Sequence, residues 1–334
     1  MIIENFIVRE PLLDPKQQVL GYELGWQHTS ASMEDADSIA LVEFVGQQFN
    51  DPDEGWLLRN HLLFLPATQA LLASEVLRAL PPKNIVLTVK LVDLTHNATL
   101  EAVKEWRAQG FGVALADVDF NQMTSSLLAL ASHVEVHFGP ADLVSQARIY
   151  GLLKTSRVRM VARQVTTWEQ YDADAALGLD AFVGKLHLTP RPGSKVKGLN
   201  PSQAIVLQLM SMVRKNADAR ELEAMLKRDA ALSFKLLRYV NSAGFGRRTE
   251  INSLRSAVTL LGYAPLFRWL SLLLATASTS GYSPVLMQTA VIRGRFAELL
   301  GMSALPRGEA ENLFVTGLFS LLDRLLGIPM EEVV

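Results

Sequence analysis

Apolar positions along the chain follow two different periods. In roughly the first 190 residues the apolar runs are short, rich in Val and Ile, and bounded in several places by Gly or Pro; they fall at residues 2–8, 84–89, 112–115, 133–138, 159–162 and 180–183. Runs of this length and composition predict buried strands. Between them lie segments with helical spacing. One covers 99–109 and stops at Gly110; another covers 167–177, with Thr167 placed to cap its start and Gly178 to end it. Strand, helix, glycine, strand is the rhythm of βα units on a parallel sheet, and several units in this length predict a TIM-type (β/α) barrel that need not have eight full units.

Residues 189–198, TPRPGSKVKG, hold two Pro and two Gly and mark the boundary. Beyond them the strand signal ends. Segments 201–214, 219–226, 230–242, 253–261, 265–278, 283–300 and 309–326 read as helices, with Asp229 placed to cap the third. The expected organisation is therefore α/β followed by all-α, with domains at 1–192 and 193–334.

Composition narrows the chemistry. The 334 residues include no Cys, which removes disulfides, thiolate metal sites and a cysteine nucleophile, and suits a reducing compartment. The N-terminus carries acids within its first apolar stretch and does not resemble a signal peptide. No apolar run is long enough to span a bilayer, so no membrane insertion and a cytoplasmic location are expected. Net charge is −2; from Asn200 onward there are 15 basic against 11 acidic residues, too small a surplus for a phosphate-tracking surface, and no specific nucleic acid is expected as partner. All six His lie at or before His187.

The run 226–246, LKRDAALSFKLLRYVNSAGFG, with its Asn241-Ser242 pair, resembles the HDOD family. So do residues 251–262, ending in Leu-Leu-Gly262, together with RFAELL at 295–300 and GLFSLLD at 317–323. The polar side chains of Asn241 and Ser242 are expected to tie down the last turn of their helix. HDOD domains look like relatives of the HD metal phosphohydrolases, whose metals need His and Asp from separate helices. Here the dyad falls at Ser320-Leu321, and no His follows His187, so no metal site of that type can form. Asp323 and Glu298 are expected to be solvated or on helix surfaces. The family continues past the point where this chain stops at Val334, so the helical domain is expected to be truncated.

The first half resembles an EAL domain, the cyclic-di-GMP phosphodiesterase fold, through residues 9–24, 84–89, 110–118, 134–138 and 178–184. That resemblance implies divalent cations held by carboxylates and an Asn at strand ends, with a Lys and further Glu positioning the attacking water. Glu23 falls on the motif's Glu and Asp117 on the second Asp of its paired motif. The other positions have changed: Thr88 and Thr166 stand for Glu, Ala116 for Asp, Glu135 for Lys, His137 for Asp, Arg163 for Glu and Val183 for Gln. The expected Asn has no counterpart in residues 62–68. Glu23 and Asp117 are expected to form hydrogen bonds or ion pairs at the barrel mouth, with Arg163 a candidate partner. No cofactor is expected, with a weak Mg²⁺ at Glu23/Asp117 left open. Glu135 and His137 point the same way on a strand and offer an acid–base pair, though such a His more often has a structural role.

The resulting expectation is a non-catalytic signal-transduction adaptor that acts through protein–protein interaction with signalling proteins. Two alternatives stay open: a metal-independent cyclic-di-GMP sensor, and a weak cyclic-di-GMP phosphodiesterase. The oligomeric state is not legible.

Overall fold

Eight short strands close on themselves in chain order. They are β1 Phe6–Leu13, β2 Val19–Gln27, β3 Leu62–Pro66, β4 Ile85–Lys90, β5 Gly112–Ala116, β6 His133–Val136, β7 Arg159–Ala162 and β8 Ala181–Val183. The computed structural model describes residues 6–27, 35–49, 61–136, 143–189, 191, 199–242, 250–276, 284–327 and 330–332, and the chain divides into two units, Met1–Leu186 and His187–Val334. The barrel is closed; β1 runs antiparallel to both β2 and β8, while β2 to β8 are parallel.

Three strand readings need correction. The first strand is described over 6–13 and runs past the expected end at residue 8, while residues 2–5 lie outside the described set; neither β3 nor β2 was among the expected runs, β2 least of all. Its VLGYELGWQ sequence carries a Glu, two Gly and a Gln, too little uninterrupted apolar character to stand out. The hairpin supplies what the pattern lacks. The Asp14 carboxylate accepts from the backbone N–H of Lys16 (2.8 Å) and Gln18 (2.7 Å), and Gln17 takes φ 62° to close the turn.

Strand alternation sorts side chains between two environments. Leu12, Phe64, Val86, Ala114, Val161, Ala181 and Val183 pack inside the barrel. Residues of the opposite parity, among them Leu63, Leu87, Leu115, Val134 and Phe182, pack outward with the helices. Those helices are α1 Asp35–Phe49, α2 Gln69–Leu72, α3 Asn97–Ala108, α4 Ser125–Leu130, α5 Leu143–Lys154 and α6 Trp168–Leu177. Thr167 caps α6 by accepting from the Gln170 N–H, and Gly178 ends it at φ 88°. On α6, the Tyr171 hydroxyl donates to the Asp14 carbonyl at 2.8 Å and ties the helix to the β1–β2 turn. Buried Trp106 on α3 likewise donates to the Leu72 carbonyl at 2.8 Å.

The second unit is helical: α7 Pro201–Arg214, α8 Ala219–Leu226, α9 Ala230–Val240, α10 Leu254–Leu261, α11 Tyr263–Thr276, α12 Pro284–Met302, α13 Arg307–Phe319 and α14 Leu322–Leu326. Reciprocal capping boxes start α7 (Asn200 with Gln203) and α8 (Asp218 with Glu221), and Asp229 caps α9 by accepting from the Leu232 N–H at 3.0 Å. The single helix expected over 309–326 is two: the chain breaks at Leu321 (φ −124°, ψ 16°), which is buried and turns α14 back into the core. Glu298 also departs from expectation. It is only 2% exposed, accepting from Arg268 at 2.7 and 3.1 Å and from Arg295 at 2.8 Å, so a carboxylate in an apolar helix is buried with its counter-charges. Asp323 is half-buried in the first turn of α14. Among the described residues no single helix is long and apolar enough to cross a membrane; α10 with α11 passes by length and composition only as a pair bent by 108°.

One glycine sets the barrel's geometry near the site. A Cβ on Gly21 would sit 2.0 Å from the Leu62 carbonyl oxygen, so β2 and β3 can approach this closely only without a side chain there. Gly21→Ala should therefore cost about 1–3 kcal/mol of unfolding free energy. Urea denaturation checks this; an unchanged midpoint contradicts the packing described.

Candidate functional site

The period-two alternation that fills the barrel also decides what reaches its mouth. Glu23 on β2 lies opposite Phe64 of β3, and Glu135 on β6 lies opposite Val161 of β7. Both neighbours are interior residues. Arg163 follows the last residue of β7, and its guanidinium pairs with both carboxylates, Nη2 to Glu23 and Nε to Glu135. The cluster is largely out of water, with side-chain exposure of 24% for Arg163, 22% for Glu23 and 5% for Glu135.

Electrostatics follow from this enclosure. Burial pushes the Glu135 carboxyl up; Arg163 opposes that shift, Glu23 and Asp117 add to it, and the balance is about 7. Burial is the largest cause, so a proton on Glu135 relieves chiefly the cost of a desolvated charge and only secondarily the repulsion from Glu23 and Asp117. For Arg163 burial disfavours the charge, but Glu23 and Glu135 outweigh it and raise the pKa. Glu23 Oε2 and Thr88 Oγ1 are buried with no hydrogen-bond partner among the described residues. These unfilled positions can receive a water or a ligand donor.

The remaining expected positions divide clearly. Ala116 and Val183 are buried and apolar, contributing shape but no ligand atom. Asp117 is drawn out of the cluster: its carboxylate is 3.8 Å from Lys90 Nζ, with both side chains about two-thirds exposed at 66% and 64%. Thr166 is exposed, and His137 lies outside the described residues, as does any pairing of it with Glu135. Asp117 (φ 51°) and Gln164 (φ 55°) occupy left-handed backbone just past β5 and β7, a conformation uncommon for residues other than Gly, Asn and Asp. Strain of this kind clusters at sites where a strand end must turn sharply.

Sequence reasoning missed Glu10 and Lys90. Glu10 on β1 pairs in register with Glu23 and so adds a further carboxylate beside it. Lys90 ends β4 two residues beyond Thr88, and strand alternation from Thr88 was the signal that could have placed it.

A divalent cation does not fit this arrangement. Hard cations need several oxygens converging on one point, but Arg163 occupies the position between Glu23 and Glu135, and Asp117 turns to Lys90. Among the described residues no group of three or more acidic or His side chains could hold a metal ion.

In the helical unit, Asn241 and Ser242 do end α9, but Asn241 does not tie down its own last turn. Its side chain donates to the Ile251 carbonyl and accepts from the Ile251 N–H, each at 2.9 Å, clasping the chain ten residues on. Gly262 (φ 73°) ends α10. Ser320 caps the end of α13, its hydroxyl donating to the Gly317 carbonyl at 2.7 Å. It lines a cavity of about 910 Å³ with Met210, Phe267 and Phe319.

Comparison with known proteins finds a family match in the helical unit and relatives along nearly the whole chain. Residues 199–326 match the HDOD domain model. Over 337 residues the chain is 26% identical to the cyclic di-GMP phosphodiesterase CdgJ of Vibrio cholerae, covering 99% of this chain and 78% of that protein. It is also 26% identical to the uncharacterized protein YuxH of Bacillus subtilis, covering 98% and 83%. Among solved structures, a c-di-GMP complex of the PaMucR phosphodiesterase aligns with TM-score 0.47 at 16% identity, covering 58% of this chain and 94% of that one. The EAL enzyme Bd1971 aligns with TM-score 0.44 at 12% identity, covering 55% and 61%.

These findings overturn the non-catalytic adaptor and the expectation of no enzyme activity. A protein alike over nearly the whole chain is named a phosphodiesterase.

The pH dependence of stability tests the electrostatics. Because folding raises the Glu135 pKa, the native state binds the extra proton, and Glu135 makes stability fall as pH rises from about 4.5 to about 7. Glu135→Gln should remove that component of the slope. Urea unfolding from pH 4.5 to 8 checks it; an unaltered slope contradicts the assignment.

Proposed function

We propose that the barrel mouth hydrolyses cyclic di-GMP slowly, as a phosphodiesterase of modest power, and that the HDOD half accompanies it as a signalling module. The observation that carries this reading is the 26% identity to CdgJ across 99% of this chain. The cluster at the mouth supplies groups that suit phosphodiester chemistry. Arg163 offers a planar, permanently charged fork for a phosphate, and Lys90 adds a second cation at the exposed rim.

In this reading the substrate phosphate displaces one carboxylate from Arg163, which then bears the negative charge that builds on the phosphoryl oxygens. Glu135, titrating near 7, takes a proton from the attacking water. The water oxygen bonds to phosphorus, the bond from phosphorus to the 3′ oxygen breaks, and the proton passes to that leaving oxygen. The product is the linear dinucleotide with a 5′ phosphate. No step runs through a metal, because Arg163 pairs with both Glu23 and Glu135 and Asp117 lies out at the exposed rim. The missing metal is the physical reason for a low rate, since a cation's charge stabilisation is worth several kcal/mol.

Incubating the purified chain with cyclic di-GMP in EDTA, followed by chromatographic separation of products, tests the proposal. The linear dinucleotide should accumulate, and Arg163→Ala should slow it by at least about 100-fold. Binding without turnover, or no interaction, contradicts hydrolysis. Turnover that requires Mg²⁺ and is lost in both Glu23→Ala and Asp117→Ala contradicts the metal-free route.

A further inference from the structure

A cavity of about 660 Å³ opens at the other end of the barrel, where the parallel strands begin. Its wall includes Leu62, Ile85, Gly112 and His133, each at or beside the first residue of its strand, whereas the Glu23–Arg163–Glu135 cluster lies toward the strands' C-terminal ends. In barrels of this architecture that floor usually reads as a stability face. Here it carries an uncompensated charge pattern.

Three arginines, Arg107, Arg157 and Arg159, line the cavity with Ser132, His133 and Ser156, and no Asp or Glu among the described residues does so. The side chains of Arg157 and Arg159 make no ion pair or hydrogen bond among the described residues. Arg107 is fixed in place by donating from Nε to the Leu130 carbonyl (3.1 Å) and from Nη1 to the Phe111 carbonyl (3.3 Å), which leaves Nη2 for another acceptor. His133 is 5% exposed; its Nδ1 is 2.9 Å from the Ser132 hydroxyl and its ring packs edge-on against Phe64 at 5.0 Å. Its other ring nitrogen has no hydrogen-bond partner among the described residues. Ser132 and Ser156 spend their hydroxyl protons on the Val113 (3.0 Å) and Leu153 (2.6 Å) carbonyls, so the three guanidiniums, with no carboxylate beside them, are what make the wall donor-rich.

We propose that this floor is a second binding site, separate from the mouth, for a small phosphate-bearing metabolite. Guanidinium forks match phosphoryl oxygens, and the volume suits a phosphorylated organic molecule more than a lone inorganic ion. An anion on Arg159 and Arg107 also has a specific electrical consequence. Burial, then Arg159 and Arg107, hold the His133 pKa down to about 4, so neutralising those arginines raises it.

The test is calorimetric titration of the whole chain with pyrophosphate at fixed ionic strength, alongside NMR of the His133 ring. Saturable binding with one equivalent is expected, weakened at least about tenfold in the Arg157→Ala/Arg159→Ala variant and unchanged in Arg163→Ala, with the His133 pKa rising on binding. Both arginines are exposed, so the double variant should fold. No saturation at millimolar pyrophosphate overturns the proposal, as does binding that survives the double variant or is lost only in Arg163→Ala. Citrate binding more tightly than pyrophosphate overturns the phosphate assignment. Because the mouth is probed separately by Arg163→Ala, failure here leaves the hydrolysis reading untouched.

Discussion

The barrel mouth depends on one guanidinium placed between two carboxylates that strand alternation forces inward. Glu23 and Glu135 share a parity with the interior residues Phe64 and Val161, so neither can leave the lumen without shifting its whole strand. Two acids held this way would repel each other across a poorly solvated space. Arg163 resolves the conflict by bridging both, and in doing so takes the position a cation would need. The same residue therefore brings a fixed cation and an acid titrating near 7 together at the mouth. Asp117, left over, faces Lys90 in solvent.

Much of the architecture was legible because it rests on local pattern. The β7 residues 159–162 and the helices 201–214 and 219–226 carry clean periodicity with caps or glycine stops, and the structure has them at those bounds. What the pattern hid depends on long-range contact. Strand β2 is polar enough to pass unnoticed, and it is held by the Asp14 turn and by Tyr171 from a helix more than 150 residues away. The break at Leu321 was invisible because the apolar spacing runs through it; burial of that side chain, not a Pro or Gly, turns the chain. Glu298 looked solvated because its partner Arg268 lies 30 residues earlier.

The site was legible as an inventory and not as an arrangement. The resemblance offered Arg163 as a partner for Glu23 and Asp117 and His137 as a partner for Glu135; in the structure Arg163 pairs with Glu23 and Glu135, and Asp117 faces Lys90. Which carboxylate would be drawn to which cation, and that burial would bring Glu135 near neutrality, depends on enclosure that sequence does not express. The step from lost ligands to lost activity failed for the same reason. A list of missing residues says what chemistry is gone; it does not say what the replacements can do together.

The most direct measurement of this account is infrared difference spectroscopy of the chain with isotopically labelled Glu, titrated from pH 5 to pH 9 and compared with Glu135→Gln. The account predicts a carbonyl band from a protonated Glu that vanishes with a midpoint near 7 and is absent in the variant. A spectrum with no protonated Glu carboxyl above pH 5 would contradict it, because Glu135 would then be an ordinary ion-paired carboxylate with no proton to exchange at neutral pH.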